Sequence, residues 1–526
     1  MMTAYRRKGG KVFESVLRAP SIMTPRNSHL TLRLLPVLFT LILIGVCLPV
    51  ISASPDEASD PPVHIHLGWN DSDASHTMTI TWQTTTPSSG NFVLYDIVSR
   101  GSTEEYAYQE EGTNHTYRYA SGHIHVVELT DLAPDTTYYF VCGGSEGGYS
   151  QERSFHTAPA IPSKIRFIVG GDSRSQPAIR DDVSKAAAKL DPAFIVHTGD
   201  FVDLGGDQRL WNSWFASMDE LWFGTSGLTM PVIPVHGNHE KHAPHYLGQF
   251  PLSGKGYWYS VDYGPSLHIA VLDSEQDSLD EQVTWLDEDL SSHSGSTWKI
   301  VAIHQPFLSA SEHGGSAILV EKIAPVIDKH HVDIVFSGHD HDYERTYPVN
   351  FTASDTSPQP SPENGTIYIV SAGWGAPLYE SGKGWWTAYS DSLYHFTLVT
   401  IYANNTMHLE AIDLEGKTFD QAFIVKPPTT FTVYTVVVTE KSVSTQTVTA
   451  TTTRSTTMFS TATVTKTSQI EVVSTYRSTT TTQETRTVTT TAKMEGQIDY
   501  AEIAVLLVIG VAIGATSIYF LKPRAK

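Results

Sequence analysis

In the segment DIVFSGHDHDYER (residues 333–345), an apolar run ends directly at a cluster of polar side chains. The run from Asp333 to Phe336 has the length and composition of a buried strand. His339 and His341 follow it at once. A strand that runs straight into metal-binding side chains predicts a ligand site at the edge of a sheet.

Four other segments repeat this arrangement earlier in the chain. They are GGDSR (170–174), HTGDFVD (197–203), GNHE (237–240) and AIHQP (302–306). Apolar strands precede them, and helical patterns lie between strands at residues 178–190, 281–290 and 319–328. This alternation predicts an α/β layered domain. Because open α/β sheets bind ligands at the carboxyl ends of their strands, we expect the polar side chains to collect there.

The five segments offer carboxylate, amide and imidazole donors, which suit Fe, Zn or Mn better than metals that prefer thiolates. Together they suffice for two adjacent ions, and such a pair indicates hydrolysis of a phosphate ester. Taken singly, each residue also has a structural interpretation. Asp172 could cap a helix and Asp200 could serve a turn. Asn238 could occupy a left-handed turn and His304 could be a core histidine.

Length and charge narrow the class of protein. A chain of 526 residues exceeds one ordinary domain. Its formal net charge of -21 argues against nucleic acid as a partner, because a phosphate backbone needs a basic surface. A phosphate site must then carry its own positive charge, which metal ions would supply. Cys47 lies in a stretch expected to be removed, so Cys142 is left without an intramolecular partner.

Residues 62–158 show an all-β pattern. Alternating segments such as 77–82 and 123–129, separated by turn signals, predict a β-sandwich. Trp82 and the corner from Leu132 to Tyr138 resemble a fibronectin type III domain. We expect this domain to be a scaffold.

Both ends of the chain carry apolar runs. Residues 1–53 predict a secretory leader, or alternatively an uncleaved anchor helix. Residues 501–521 predict a transmembrane helix followed by a basic cytoplasmic tail, 522–526. This arrangement predicts a single-pass protein with its catalytic domain at the cell surface. Gly510 and Gly514 either pair helices in a dimer or reflect the small residues common in such helices.

Residues 428–498 are dominated by Thr and Ser. This composition is typical of a glycosylated stalk, although the Thr-Val alternation could instead form a β-rich repeat. Five N-x-S/T acceptor sites fit an external glycoprotein: Asn70, Asn114, Asn350, Asn364 and Asn404.

Longer motifs identify a family. The segments PVIPVHGNHE (231–240), YWYSVDYG (257–264) and GHDHDYER (338–345) resemble the calcineurin-like metallophosphoesterases, most closely the purple acid phosphatases. The resemblance spans residues 62–427 and implies an αββα-layered catalytic domain, 163–427.

The resemblance also implies a role for each ligand. Asp172, Asp200 and His341 would form the first metal position, with Asp200 bridging. Asn238, His304 and His339 would complete the second metal position. The pair would lower the pKa of a shared water and so provide the attacking hydroxide. His239 would lie over the phosphate, stabilising it or protonating the leaving oxygen, and Asn238 would also face the substrate.

Two residues depart from the family pattern. Purple enzymes place a Tyr where this chain has Asp203, and other members of the superfamily place a His where it has Arg174. Without the Tyr phenolate we expect a colourless enzyme. Asp203 could replace the missing ligand, or water could. Arg174 could bind the substrate phosphate bidentately, or form a surface salt bridge.

Other residues near the motifs are expected to support the site or the fold. His197, His236, His242 and His245 are expected behind the ligands or on the surface. Glu344 and Arg345 are expected to pair with each other. Four aromatic residues are expected as core or rim residues, with stacking on an aryl or base group as the alternative: Trp374, Tyr379, Trp385 and Trp386.

Three functions are compatible with these observations. The first is a membrane-anchored external phosphatase acting on phosphomonoesters. The second keeps the same site but hydrolyses phosphodiesters or nucleotides, because the metals contact only the phosphoryl group. The third is a catalytically decayed surface-binding module, which the altered first metal position would explain.

Overall fold

The computed structural model describes residues 59–426, apart from 253–255, 277–278 and 353–354, together with backbone strands between residues 432 and 509. The predicted leader, 1–53, lies outside the described residues.

The amino-terminal domain consists of two antiparallel sheets. Its strands are β1 (Val63–Gly68), β2 (Met78–Thr84), β3 (Phe92–Asp96), β4 (Tyr108–Glu111), β5 (Thr113–His115), β6 (His123–Leu129), β7 (Thr137–Gly144), β8 (Gly148–Tyr149) and β9 (Arg153–His156). One sheet has the order β1-β2-β6-β5 and the other the order β4-β3-β7-β8, with β9 paired to β7. Trp82 is fully buried in the core that the two sheets share and stacks on His125, with ring centroids 5.2 Å apart. The predicted β-sandwich therefore agrees with this architecture.

The second domain alternates strands and helices before it ends in strands. Its elements are β10 (Ile165–Gly170), α1 (Pro177–Ala188), β11 (Ile195–His197), α2 (Gln208–Leu221), β12 (Val232–Pro234), α3 (Pro244–Gln249), β13 (Tyr259–Asp262), β14 (Leu267–Val271), α4 (Asp280–Ser292), β15 (Trp298–Ala302), α5 (Ala317–Lys322), α6 (Ala324–His330), β16 (Ile334–Ser337), β17 (Tyr343–Thr346), β18 (Val349–Thr352), β19 (Asp355–Pro360), β20 (Ile367–Ser371), β21 (Thr387–Asp391), β22 (His395–Tyr402), β23 (Thr406–Asp413) and β24 (Thr418–Val425).

Two sheets form the centre of this domain. A six-stranded sheet has the order β12-β11-β10-β22-β23-β24, and a seven-stranded sheet has the order β13-β14-β15-β16-β20-β17-β21. Apolar side chains of both sheets, among them Phe167 and Ile300, share one core. Side chains of α1 and α2 cover the outer face of the first sheet, and those of α4 to α6 cover the outer face of the second. The layers are therefore helix, sheet, sheet, helix, as predicted.

Strand direction brings the polar segments together. β10, β11 and β12 are parallel to one another, as are β14, β15, β16 and β20. The loops that follow β10, β11, β12, β15 and β16 carry the five segments. The expected collection of side chains at the carboxyl ends of the strands is what the structure has.

Two helical features differ from the sequence prediction. The helix predicted at 319–328 is split into α5 and α6, which meet at Ile323. Pro325 explains the break, because proline has no N–H for the preceding turn and its ring clashes with the carbonyl four residues earlier. Helices α2 and α3 were not predicted, although Trp211, Trp214 and Phe215 bury one face of α2.

The carboxyl-terminal segments stay predictions. Backbone strands run over β25 (Thr432–Glu440), β26 (Gln446–Arg454), β27 (Thr461–Thr463), β28 (Gln469–Arg477), β29 (Thr485–Lys493), β30 (Ala504–Leu506) and β31 (Val508–Ile509). Apart from β30 and β31, the predicted span 501–521 lies outside the described residues, as do Gly510, Gly514 and the tail. Among the residues that are described, no helix has the length and apolar character needed to cross a bilayer.

Candidate metal centre

Three of the predicted ligands occupy left-handed backbone. Asp172, Asp200 and His339 have φ of 59°, 57° and 71°. Such values are uncommon for residues other than glycine and require support from neighbouring structure. The supporting loops approach closely. A Cβ added at Gly199 would lie 2.6 Å from Nδ1 of His304, and one at Gly338 would lie 2.5 Å from Oδ2 of Asp172. Tight glycine turns thus let the loops converge.

The second metal position is assembled from four side chains. His304 is fully buried, and its Nδ1 donates to the Thr198 carbonyl at 2.8 Å, which directs Nε2 into the site. That Nε2 lies 2.9 Å from Oδ1 of Asn238 and 3.4 Å from Oδ1 of Asp200. Nδ1 of His339 lies 3.0 Å from the same Asn238 oxygen. Two imidazole nitrogens, an amide oxygen and a carboxylate oxygen thus converge, and this is a donor set that Fe, Zn or Mn binds, so these residues fit a metal ion.

The first metal position is built differently. Nδ1 of His341 donates to the Pro377 carbonyl at 2.7 Å, so its Nε2 is also an acceptor. This Nε2 lies 3.3 Å from Oδ1 of Asp172, a buried oxygen without a hydrogen bond. The guanidinium of Arg174 reaches the same place: Nη2 lies 3.1 Å from Nε2 of His341, and Nε donates to Oδ2 of Asp200 at 3.2 Å. Of the expected ligand atoms here, only the Asp172 oxygen is not engaged, so the residues as placed do not fit a metal ion.

Arg174 is held on its outer side as well. Its Nη1 donates to Oδ1 of Asp203 at 3.2 Å and to Oγ of Ser175 at 3.1 Å, and Ser175 donates to Asp203 at 2.5 Å. Burial would lower the pKa of Arg174, but the carboxylates of Asp200, Asp172 and Asp203 raise it above its ordinary value. The guanidinium is a fixed positive charge among these carboxylates.

Asp203 lies at the rim of this cluster. Its side chain is 45 % exposed and contacts Arg174 and Ser175. The structure places it on the solvent side of the guanidinium, not beside the other ligand atoms. The alternative in which Asp203 replaces the missing ligand has no contact in its favour.

His239 stands beside the bridging carboxylate. Its backbone N–H donates to Oδ1 of Asp200 at 2.9 Å, and its Nδ1 donates to the Asp203 carbonyl at 2.7 Å. Nε2 then points at the site and lies 3.8 Å from Oδ2 of Asp200. The ring is partly exposed, so a substrate can reach it.

Glu240 has a role that sequence reasoning missed. Its buried carboxylate accepts the backbone N–H groups of Asp200 and Phe201, both at 3.0 Å, and of Gly237 at 2.9 Å. Burial, together with the nearby Asp200 carboxylate, raises the pKa of Glu240 well above its usual range. Glu240 ties the loop after β11 to the loop after β12. The only signal in the sequence was its place in GNHE.

A second missed residue, His313, lies beside His339, with ring centroids 4.4 Å apart. It follows His304 on the same loop, and its Nδ1 lies 2.9 Å from Oδ1 of Asp340. Burial, followed by the neighbouring charges of His304 and His313, lowers the pKa of His339 to about 3. His339 is therefore an unprotonated imidazole, as a ligand must be.

The four histidines that were predicted behind the ligands or on the surface lie away from the ligand atoms. His197 is buried against Phe201 and contacts Oγ of Ser173 at 2.9 Å. His236 is buried against Asp273 at 3.0 Å, and His242 approaches the same carboxylate from the surface. His245 is buried beside Tyr117.

The predicted pair of Glu344 and Arg345 is wrong. Glu344 accepts from the Ala310 backbone and from Trp386, while Arg345 binds Asp420 through two bonds of 2.6 and 2.9 Å. Both residues lie on β17, where neighbouring side chains point to opposite faces.

Of the predicted rim aromatics, one lies at the site. Tyr379 stacks on His341 with ring centroids 4.1 Å apart. Trp374 is fully buried, which excludes stacking on a substrate, and Trp386 binds Glu344. Trp385 is exposed next to Trp386.

Known proteins share both domains. Residues 62–157 match the model described as the purple acid phosphatase N-terminal domain, and residues 165–343 match calcineurin-like phosphoesterase. Purple acid phosphatase 18 of Arabidopsis thaliana is 31% identical over 329 residues, which are 57% of this chain and 69% of the relative. Acid phosphatase type 7 of Mus musculus is 24% identical over 429 residues, 72% of this chain and 94% of the relative.

A solved structure has the same fold. A purple acid phosphatase isolated from yellow lupin (Lupinus luteus) seeds aligns with a TM-score of 0.60 at 20% identity, covering 70% of this chain and 74% of that one.

Proposed function

Because the chain belongs to the purple acid phosphatase family, whose members are metal-dependent hydrolases, we propose that it hydrolyses phosphomonoesters at the outer face of a membrane. The observation that carries the chemistry is the convergence of His304 Nε2, Asn238 Oδ1 and Asp200 Oδ1 on one point. A metal ion held by these residues would supply Lewis-acid charge and lower the pKa of a bound water.

The chain's own residues complete the site. The Thr198 carbonyl orients His304, and Glu240 fixes the loops of Asp200 and Asn238. Such supporting bonds hold ligands at the angle that a metal requires. His239 offers a protonatable Nε2 beside the substrate space, since its Nδ1 proton is committed to a carbonyl. It is placed to protonate the leaving oxygen of the ester.

A positive charge at the site would offset the negative charge of the substrate. The chain has a formal net charge of -21, which repels a phosphate ester at long range. Arg174 stands on the solvent side of Asp200 and offers N–H groups in this region. Phosphate oxygens bind such charge-assisted donors well.

The membrane location rests on the sequence. The apolar run 503–521 and the basic residues after it favour a single carboxyl-terminal span, and the acceptor sites for glycans favour an external catalytic domain. Deleting residues 501–526 should release the protein from carbonate-washed membranes. A chain that stays with the membrane after this deletion contradicts the anchor.

The test of activity uses the purified full-length chain with p-nitrophenyl phosphate and Mn²⁺, Zn²⁺ or Fe²⁺ in turn. We expect turnover, its loss in Asp200→Asn, and normal turnover in Asp131→Asn, an exposed residue of the first domain. Absence of turnover with every metal, or full turnover in Asp200→Asn, refutes the proposal. Faster hydrolysis of bis-p-nitrophenyl phosphate contradicts the preference for monoesters.

A further inference from the structure

We propose that this chain binds a single metal ion, at the second metal position, and that the guanidinium of Arg174 takes the place of the first ion. The inference deepens the proposed function and rests on the same site. The family uses a dinuclear metal centre. This chain would instead perform the reaction with one metal ion and the guanidinium of Arg174.

Arg174 already uses the atoms that a first ion would need. Its Nη2 donates to Nε2 of His341 and its Nε donates to Oδ2 of Asp200, at 3.1 and 3.2 Å. An ion would have to lie about 2.0–2.2 Å from each of these acceptors. Because a guanidinium nitrogen lies directly in front of both atoms, ion and guanidinium exclude each other.

The charge balance favours the guanidinium. Asp172 and Asp200 are almost completely buried, and two buried carboxylates need a positive partner. Arg174 is 12 % exposed and cannot lose its proton in a protein, so it supplies that charge permanently. Oδ1 of Asp172 has no hydrogen bond, but the other two ligand atoms of the first position are engaged by the guanidinium.

The two departures from the family pattern act as a pair. Asp203 and Ser175 hold Nη1 of Arg174 from the solvent side, while Asp200 and His341 hold Nε and Nη2 from the inner side. A Tyr at 203 or a His at 174 could not make this clamp. The side chain is therefore fixed from both sides, and its removal to admit an ion would break contacts with four partners.

The clamp still leaves chemistry for the guanidinium. Its four contacts account for four of the five N–H donors of an arginine, so one N–H of Nη2 is available to a phosphoryl oxygen. Arg174 would neutralise charge on the ester, as an ion does. Unlike an ion, it has no empty orbital and cannot activate a water.

Metal stoichiometry tests the inference on the purified full-length chain. After loading with Mn²⁺ and removal of excess, we expect one equivalent per chain by mass spectrometry of the metal. His341→Ala should keep that equivalent, because His341 serves only the first position. His304→Ala should lose it. The double variant Arg174→His, Asp203→Tyr should gain a second equivalent, because it removes the clamp and adds two ligands.

Electron paramagnetic resonance of the unmodified chain provides a second readout. We expect the hyperfine pattern of an isolated Mn²⁺ ion, whereas two equivalents with an exchange-coupled spectrum overturn the inference. Less than one equivalent, or loss of metal in His341→Ala with an unchanged thermal unfolding midpoint, also overturns it. Metal counts do not depend on turnover, so failure of the phosphatase assay is a separate result.

Discussion

Replacing Glu240 with alanine should weaken metal binding although Glu240 is not a ligand. Its buried carboxylate accepts three backbone N–H groups, from Asp200, Phe201 and Gly237, at 2.9 to 3.0 Å. All three groups belong to or adjoin ligands, since Phe201 follows Asp200 and Gly237 precedes Asn238. Alanine leaves all three donors without a partner in a region closed to solvent.

The size of the effect follows from these bonds. Each buried donor left without a partner costs about 1–3 kcal/mol, and the sum is large against the 5–15 kcal/mol that holds a typical domain together. Water entering the vacated space will recover part of the loss. Without the bonds to Glu240, the loops after β11 and β12 can separate, so Asp200 and Asn238 lose their alignment. Loss of such supporting contacts lowers metal affinity by about 10–100-fold.

The measurement is the Mn²⁺ dissociation constant of the full-length chain by equilibrium dialysis. Glu321→Ala on α5 is the matched control, because Glu321 is exposed and remote from the site. Glu240→Gln should fall between the two, since its amide keeps one acceptor oxygen. An unchanged Mn²⁺ affinity in Glu240→Ala, with the fold intact by circular dichroism, would show that Glu240 does not position the ligands.

Four further outcomes are expected. His239→Ala should lower kcat by about 10²–10⁴-fold, the range of a lost general acid, with metal content unchanged; loss of metal instead would make it a ligand. Burial lowers the pKa of His268, but its bonds to two carboxylates outweigh burial and raise it to about 9. Its stabilisation, about 3 kcal/mol from that shift, is complete below pH 6.5 and lost as pH rises through about 9. The midpoint temperature of thermal unfolding should therefore fall more between pH 6 and 10 in the unmodified chain than in His268→Gln. Asp420→Ala should destabilise the domain by about 3–5 kcal/mol in denaturant unfolding, because it strands the largely buried Arg345. The metal-loaded enzyme should be colourless in visible absorption, because Asp203 cannot provide a phenolate; a charge-transfer band would contradict this.

Local order along the chain explains what the sequence predicted well. An apolar strand followed at once by Asp, Asn or His can be recognised from neighbouring residues alone. Parallel pairing of the strands then brings these side chains to one edge of the sheet. For this reason Asp172, Asp200, Asn238, His304 and the two histidines of GHDHDYER were expected at one edge, where the structure has them.

Long-range partners explain what was not predicted. Arg174 and His341 are separated by 167 positions, so nothing near Arg174 shows that it reaches into the ligand cluster. The pair of Glu344 and Arg345 failed for the opposite reason. Adjacent residues on a strand are close in sequence but face opposite sides of the sheet.

Distribution of the ligands over five separate loops has an evolutionary consequence. The strands beneath are buried and paired whatever residues their loops carry, so substitutions at the sheet edge need not disturb folding. Positions 174 and 203 lie on separate loops yet meet in space. A lineage could replace both residues in two steps. The first substitution would change the net charge at the first metal position, and the second would restore it. The fold thus permits the set of metal ligands to change while the arrangement of strands and helices stays the same.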